Sequence, residues 1–499
     1  MHYISSRGKA PVVDAANAIK MGIAPDGGLF VPERIPALDT KVLEQMQDLN
    51  YRGRASYILS QFLTDFSSTE IDLCVNNAYN RKSFDNEKIA PLVKIDEKLH
   101  ILELWHGPTS AFKDMALQML PHLLTTSTKK TGEKSDILIL VATSGDTGKA
   151  ALEGFKDVKQ TKIIVFYPVH GVSEVQKRQM ITQEGANVFV AAVEGNFDDA
   201  QSGVKEIFAN KELHEFLETS NIKMSSANSI NWGRLLPQIV YYISAYADLQ
   251  KEKAIKPGKP INIVVPTGNF GNILAAYYAK EMGVPINKLI CAANSNNVLT
   301  DFIRTGVYDR NRRFEKTISP SMDILISSNL ERLLFEVTEH DSAKINTWMT
   351  SLKEAGRYEV DDKNRAAIQE LFWSDYCSDD ETVATISSVW EKHKYLLDTH
   401  TAVAVNVYEK YLKSTNDNTV TIVASTASPF KFGSSVAQAV ISADKLEGLD
   451  EFAVLELLSQ ETGLPIPAGI KTLNEQEIRH QTVTSKEDLQ GTVLRFLGL

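Results

Sequence analysis

A succession of unbroken aliphatic runs, each followed by a turn and a helix-like stretch, constrains this chain most. The runs lie at residues 99–104, 137–141, 162–166, 187–193, 261–265, 289–292 and 419–424. They show no apolar–polar alternation, so they read as strands buried on both faces. Such strands, separated by helices, build parallel sheets covered by helices on both sides. The predicted class is therefore α/β. In such sheets ligands sit outside the carboxyl ends of strands, where glycine-rich turns begin helices. Three turns have that location here, after Leu104, after Ala142 and after Pro266.

The first turn is His106-Gly107-Pro108-Thr109-Ser110-Ala111-Phe112-Lys113-Asp114, which leads into a helix-like run stopped or kinked near Pro121. A lysine at a helix start faces partial positive charge, so its pKa is expected to fall. A neutral amine is what attack on a carbonyl requires. A surface lysine near a helix start is the commoner occurrence. The third turn, Pro266-Thr267-Gly268-Asn269-Phe270-Gly271-Asn272, puts successive amides at a helix N-terminus and suits a phosphate. It has no lysine, which argues against a nucleotide loop; an ordinary tight turn reads the same way.

The second turn, Thr143-Ser144-Gly145-Asp146-Thr147-Gly148-Lys149, fails as a nucleotide-binding loop, because Thr143 and Ala150 stand where glycine and a hydroxyl are needed. Ser144, Thr147 and the amides of Gly145 and Thr147 suit a substrate carboxylate; a plain capped helix start fits equally. Ser425, Thr426 and Ser428 bring hydroxyls to the end of the last strand. An imine-forming lysine, a phosphate cradle, a carboxylate turn and a hydroxyl for a ring nitrogen together describe a pyridoxal-phosphate site. No metal-ligand spacing competes with it. His106, His170 and His400 stand alone and read as structural, and the basic run Gln176-Lys177-Arg178 reads as a solvated face.

At 499 residues the chain is too long for one core, and two or three domains are expected. A net charge of -10 argues against nucleic acid or an anionic membrane as a bulk partner. Cys74, Cys291 and Cys377 are too few and too scattered for a disulfide framework. No signal-like N-terminus and no long apolar window are present, so a cytoplasmic protein is expected. Residues 1–95 read as a mostly helical opening domain without strands beyond a short extended piece near Phe30. Residues 96–440 read as a catalytic core, with a smaller lobe at about 140–230 and a strand-free helical insertion at about 328–397. Residues 441–499 close the chain.

On these motifs the chain closely resembles the threonine synthases of the longer microbial and fungal type. The resemblance runs through 22–33, 106–118, 143–148, 268–272 and 425–432, in that order and over nearly the whole length. The 22–33 block separates it from serine/threonine dehydratases and cysteine synthases. The resemblance implies a two-lobed core of the tryptophan-synthase-β type and pyridoxal 5'-phosphate as cofactor. It implies an imine at Lys113, phosphate binding by Gly268, Asn269, Phe270, Gly271 and Asn272, and Thr426 at the pyridine nitrogen. Asp146 stands where many relatives of the wider superfamily carry asparagine. The implied reaction converts O-phospho-L-homoserine and water to L-threonine and phosphate, in a monomer or homodimer. Lys149, Arg178 and Arg234, with Ser110 and Asn228, are candidates for the substrate phosphate. A dehydratase-like lyase and a non-catalytic phosphometabolite-binding relative are the alternatives.

Overall fold

The computed structural model describes the whole chain apart from Ser144, Gly171 and the side chain of Asp198. Two parallel sheets carry it. In the larger, the strand order is Phe372–Tyr376, Ile286–Ala293, Ile261–Pro266, Thr421–Ser425, Leu99–Glu103 and Leu92–Lys94. Only the last pair is antiparallel. Ile261–Pro266, Thr421–Ser425 and Leu99–Glu103 are buried along their whole length, as uniformly aliphatic central strands require. Their carboxyl ends lie side by side, so the turns after Glu103, Pro266 and Ser425 open onto one edge.

The smaller sheet has the order Thr482–Thr484, Val188–Val193, Thr161–Pro168, Asp136–Ala142 and Ile222–Ser225, all parallel. Its outer strand comes from the end of the chain. Helix Leu489–Leu497 then packs Leu489 and Val493 among Leu138, Ile164 and Ala200 on one face of this sheet.

Several elements differ from the sequence expectation. The opening block holds a strand, Tyr3–Ser5, paired antiparallel with Phe30–Pro32. The stretch 328–397, expected to lack strands, contains Arg357–Glu359 and Phe372–Tyr376, and the second of these forms an edge of the large sheet. Ser374 and Asp375 mask that strand, because an edge strand tolerates polar residues that a central strand does not. Pro121 does not end a helix. The break falls at Gln118 and Met119, and Pro121 sits in the first turn of Leu120–Lys130, where its missing N–H costs nothing.

Helix Trp232–Lys251, buried along almost its whole length, has no polar face to announce it. It is the spine between the opening block and the core. Trp232 meets Tyr3, Phe62 and Tyr278 at ring-centroid distances of 5.6, 5.7 and 5.5 Å. Among the described residues, no helix is long and apolar enough to cross a membrane.

Candidate active site

The turn after Glu103 is tied to the turn after Ser425 before either reaches the site. Phe112 N–H donates to Thr426 O at 2.8 Å, and Ser428 N–H donates to Ser110 O at 3.0 Å. The buried Asp114 carboxylate accepts from the Thr109 amide at 2.8 Å and its hydroxyl at 2.7 Å, which winds residues 107–110 around it. Burial pushes the Asp114 carboxyl up to about 6 against those bonds. This packing holds Lys113 at the first position of helix Lys113–Leu117, with its side chain 12% exposed.

Burial lowers the Lys113 pKa to about 8; Asp146 opposes the fall, and Arg234 and Lys431 add to it. The expected direction holds, but burial is the leading cause. A five-residue helix supplies little dipole. Lys113 Nζ donates to Ser321 Oγ at 3.3 Å and lies 3.6 Å from Asp146 Oδ2.

Asp146 opens helix Asp146–Phe155. Its Oδ1 accepts from Gln176 Nε2 at 2.9 Å and lies 3.1 Å from Lys431 Nζ, while its Oδ2 accepts from Ser321 Oγ at 3.1 Å. Burial alone would raise its pKa. Lys431 and Lys113 outweigh burial and hold the carboxyl well below the usual carboxylate range. Gly145, with φ +140°, makes this turn possible, since a Cβ there would fall 2.4 Å from the Gln176 side chain. The Gly145 amide donates to Thr143 Oγ1 at 2.9 Å. This amide is therefore engaged inside the turn, and Thr147 is half-buried in the first turn of the helix. Ser144 lies outside the described residues.

The turn after Pro266 ends with Phe270 in the left-handed conformation, φ 64°, as the cap of helix Gly271–Glu281. Among the described residues, the amides of Asn269, Phe270 and Gly271 have no partner. Asn272 Oδ1 accepts from Tyr241 OH at 2.7 Å and from Tyr242 OH, which leaves its buried Nδ2 without a partner. Unpaired donors at a helix N-terminus make a site for an anion such as phosphate. Asn329 and Ser327 brace the loop from outside through the carbonyls of Asn269 and Gly268. A Cβ at Gly268 would lie 2.6 Å from the Ser321 carbonyl. Gly268→Ala is accordingly expected to cost about 1–3 kcal/mol and to loosen cofactor retention, read by thermal denaturation and by dialysis of the loaded protein. An unchanged midpoint and unchanged retention would contradict this packing.

Thr426 reaches the same edge, and its hydroxyl has no partner among the described residues. The neighbouring Ser425 Oγ is already taken by Trp105 Nε1 and Thr401 Oγ1.

The candidates for a second anion separate cleanly. Arg178 is paired with Glu174 at 3.4 Å and is a quarter exposed. Lys149 is buried between Glu153, at 3.1 Å, and Gln183. Arg234 is 4% exposed and has no carboxylate partner among the described residues; Nη1 donates to Ala227 O at 2.6 Å, and Nε is unpartnered. Burial lowers its pKa to about 10. Asn228 is half-buried in the turn before its helix, and Ser110 is buried at φ 58°.

The histidines divide likewise. His170 is exposed. His400 Nε2 accepts from Ser321 N–H at 3.1 Å, and its Nδ1 lies 3.1 Å from Asp398 Oδ1, so it steadies the loop that carries Ser321. His106 is clamped by Asp85 at 2.6 Å and Glu103 at 2.8 Å. Burial opposes its charge, but the two carboxylates raise its pKa to about 9. This clamp stabilises the fold fully below the unfolded pKa near 6.5, and the contribution disappears as pH rises through 9. His106→Asn is expected to remove about 2 kcal/mol of stability at pH 6, allowing for the exposure of Asp85, and little at pH 10. Thermal midpoints at both pH values test it; an equal loss at both would contradict the clamp.

Ser321 and Lys431 carry no sequence signal that marks them for this site. Ser321 arrives through a loop distant in sequence, and Lys431 lies inside the 425–432 motif without a spacing that assigns it a role.

Profiles of known families match the chain in three blocks. The threonine synthase N terminus covers residues 2–79, the pyridoxal-phosphate dependent enzymes 85–426 and the threonine synthase C-terminal region 401–492. Human threonine synthase-like 1 is 40% identical over 462 residues; the alignment takes in 90% of this chain but 61% of that protein's length. Threonine synthase of Saccharomyces cerevisiae is 38% identical over 467 residues, covering 88% of this chain and 89% of the relative. The crystal structure of pyridoxal-phosphate-bound threonine synthase from Brucella melitensis superposes with a TM-score of 0.87 at 36% identity, over 99% of each chain.

Proposed function

Because the chain belongs to the threonine synthase family of pyridoxal-phosphate dependent enzymes, we propose that it converts O-phospho-L-homoserine and water to L-threonine and phosphate. The observation that carries this reading is Arg234. A guanidinium buried without a carboxylate is costly unless an anionic ligand pairs with it. It acts on Lys113 across the site, while the unpaired amides of Asn269–Gly271 and Asn272 Nδ2 form a separate set of donors suited to an anion. Two anion positions around one lysine suit a phosphorylated cofactor and a phosphorylated substrate together.

Pyridoxal phosphate, when bound, supplies an electron sink for charge formed next to the substrate's amino group. In this reading the Asn269–Gly271 amides and Asn272 Nδ2 would hold its phosphate, Lys113 Nζ would bind it covalently, and the Thr426 hydroxyl would serve its ring nitrogen. A hydroxyl rather than a carboxylate there would leave that nitrogen largely unprotonated. Thr147 and its turn receive the substrate carboxylate, and Arg234 receives the substrate phosphate. Lys113 Nζ would then serve as the local base, removing the substrate's α-proton and carrying protons between neighbouring carbons. A pKa near 8 suits that exchange, since both forms of the amine are populated near neutrality. Ser321 and Asp146 fix the direction in which Nζ points. The reading carries with it a cytoplasmic enzyme, monomeric or homodimeric.

The test compares substrates. O-Phosphohomoserine is expected to give phosphate and threonine in equal amounts, while homoserine, serine and threonine are not turned over. Release of ammonia from serine or threonine at a comparable rate would favour a dehydratase instead.

A further inference from the structure

A second lysine is buried beside the first. Lys431 is 0% exposed, on the short turn Pro429–Phe432 that follows the last core strand. Its Nζ donates to Thr109 O at 2.7 Å and lies 3.1 Å from Asp146 Oδ1. A fully buried ammonium persists only when paired and hydrogen-bonded, and these contacts meet that condition. Asp146 therefore lies between two lysines, with one carboxylate oxygen toward each.

We propose that Lys431 is a positioning residue for Lys113: its ammonium engages Asp146, turns that carboxylate's charge away from Lys113, and so leaves the Lys113 amine free to take up a carbonyl cofactor. The inference rests on Lys113 being the residue that binds the cofactor.

The charges around Lys113 support it. Asp146 faces it from helix Asp146–Phe155, Arg234 from Trp232–Lys251, and Lys431 from the 429–432 turn. Asp146 alone favours the ammonium form of Lys113; the two cations oppose it. At longer range Lys431 acts on Asp114 and Lys149, and His400 acts on Asp146. Without Lys431, the nearest cation to Asp146 is Lys113 itself, and the pair would close into an ordinary ion pair. The amine would then hold its proton to higher pH. Glutamine 176 and Ser321 already satisfy other lone pairs of Asp146, so neither replaces a missing charge.

The test uses the full chain, stripped of cofactor with hydroxylamine and checked for retained circular dichroism. The rate of pyridoxal phosphate uptake is followed by absorbance across pH. For the unmodified chain the rate is expected to rise with a midpoint near 8. For Lys431→Met the midpoint should move up by about one unit or more, the equivalent of roughly tenfold slower uptake at neutral pH. Adding Asp146→Asn to that variant should return the midpoint to the original value or below. A Lys431→Met protein that folds and keeps its midpoint would overturn the proposal. Should Lys431→Met not fold, Lys431→Gln with Asp146→Asn replaces the ion pair with two amides; a midpoint above the original would then overturn it. Loss of uptake in Lys113→Ala tests the underlying assignment separately, because it abolishes the signal rather than moving its pH dependence.

Discussion

Lys113→Ala is expected to lose the visible chromophore of the purified protein and to lower turnover roughly 10³-fold or more. Nothing else described near the site supplies a second free amine. Lys431 is engaged with Asp146 and Thr109, and Lys149 with Glu153 and Gln183. The fold should survive, because Lys113 contributes one hydrogen bond, to Ser321, and a 3.6 Å ion pair to Asp146, whose carboxylate keeps Lys431, while the turn around it is held by Asp114, Thr109 and residues 425–428. An unchanged thermal midpoint of the cofactor-free chain, with loss of colour and turnover, is the expected pattern. Retained colour together with turnover would place the reactive amine elsewhere.

Arg234→Gln has the second largest expected effect, and its sign on stability differs from its sign on activity. Removing one partner of a buried charge-assisted contact costs about 2–5 kcal/mol, so kcat/KM for the phosphorylated substrate should fall by a factor between about 30 and about 5,000. In the ligand-free chain the same guanidinium is buried with an unpartnered Nε and no carboxylate. Replacing it by a neutral amide relieves that cost, and the ligand-free thermal midpoint should hold or rise. Cofactor affinity should stay within about twofold, because the proposed reading assigns that phosphate to the Asn269–Gly271 amides and Asn272. A variant that loses stability while keeping kcat/KM would make Arg234 structural. One that loses cofactor affinity instead would move it to the other anion.

Legibility in the sequence followed the range of the interactions. The aliphatic strands announced the large sheet, because a strand buried on both faces cannot alternate. The Gly268–Asn272 turn was readable as a row of amides at a helix N-terminus, because that feature lies in its own backbone. Helix Trp232–Lys251 escaped notice because a helix covered on every side shows no amphipathic period. Strand Thr482–Thr484 is three residues long and gains its partner from Val188–Val193, nearly three hundred residues earlier. Within the site, Lys113 carries a local signal and Asp146 sits in a motif. The cation and the hydroxyl that engage them, Lys431 and Ser321, are brought in by tertiary folding. Even the depressed pKa of Lys113, expected from a helix start, owes more to burial than to the helix.

The most direct measurement is the absorbance spectrum of the purified holoenzyme before and after addition of O-phosphohomoserine, with phosphate and threonine quantified in the same sample. A band in the blue-violet that shifts on addition, with equal amounts of both products, is the expected result. A colourless protein that gains no band from added pyridoxal phosphate, or a shifted band without phosphate release, would contradict the assignment of this site.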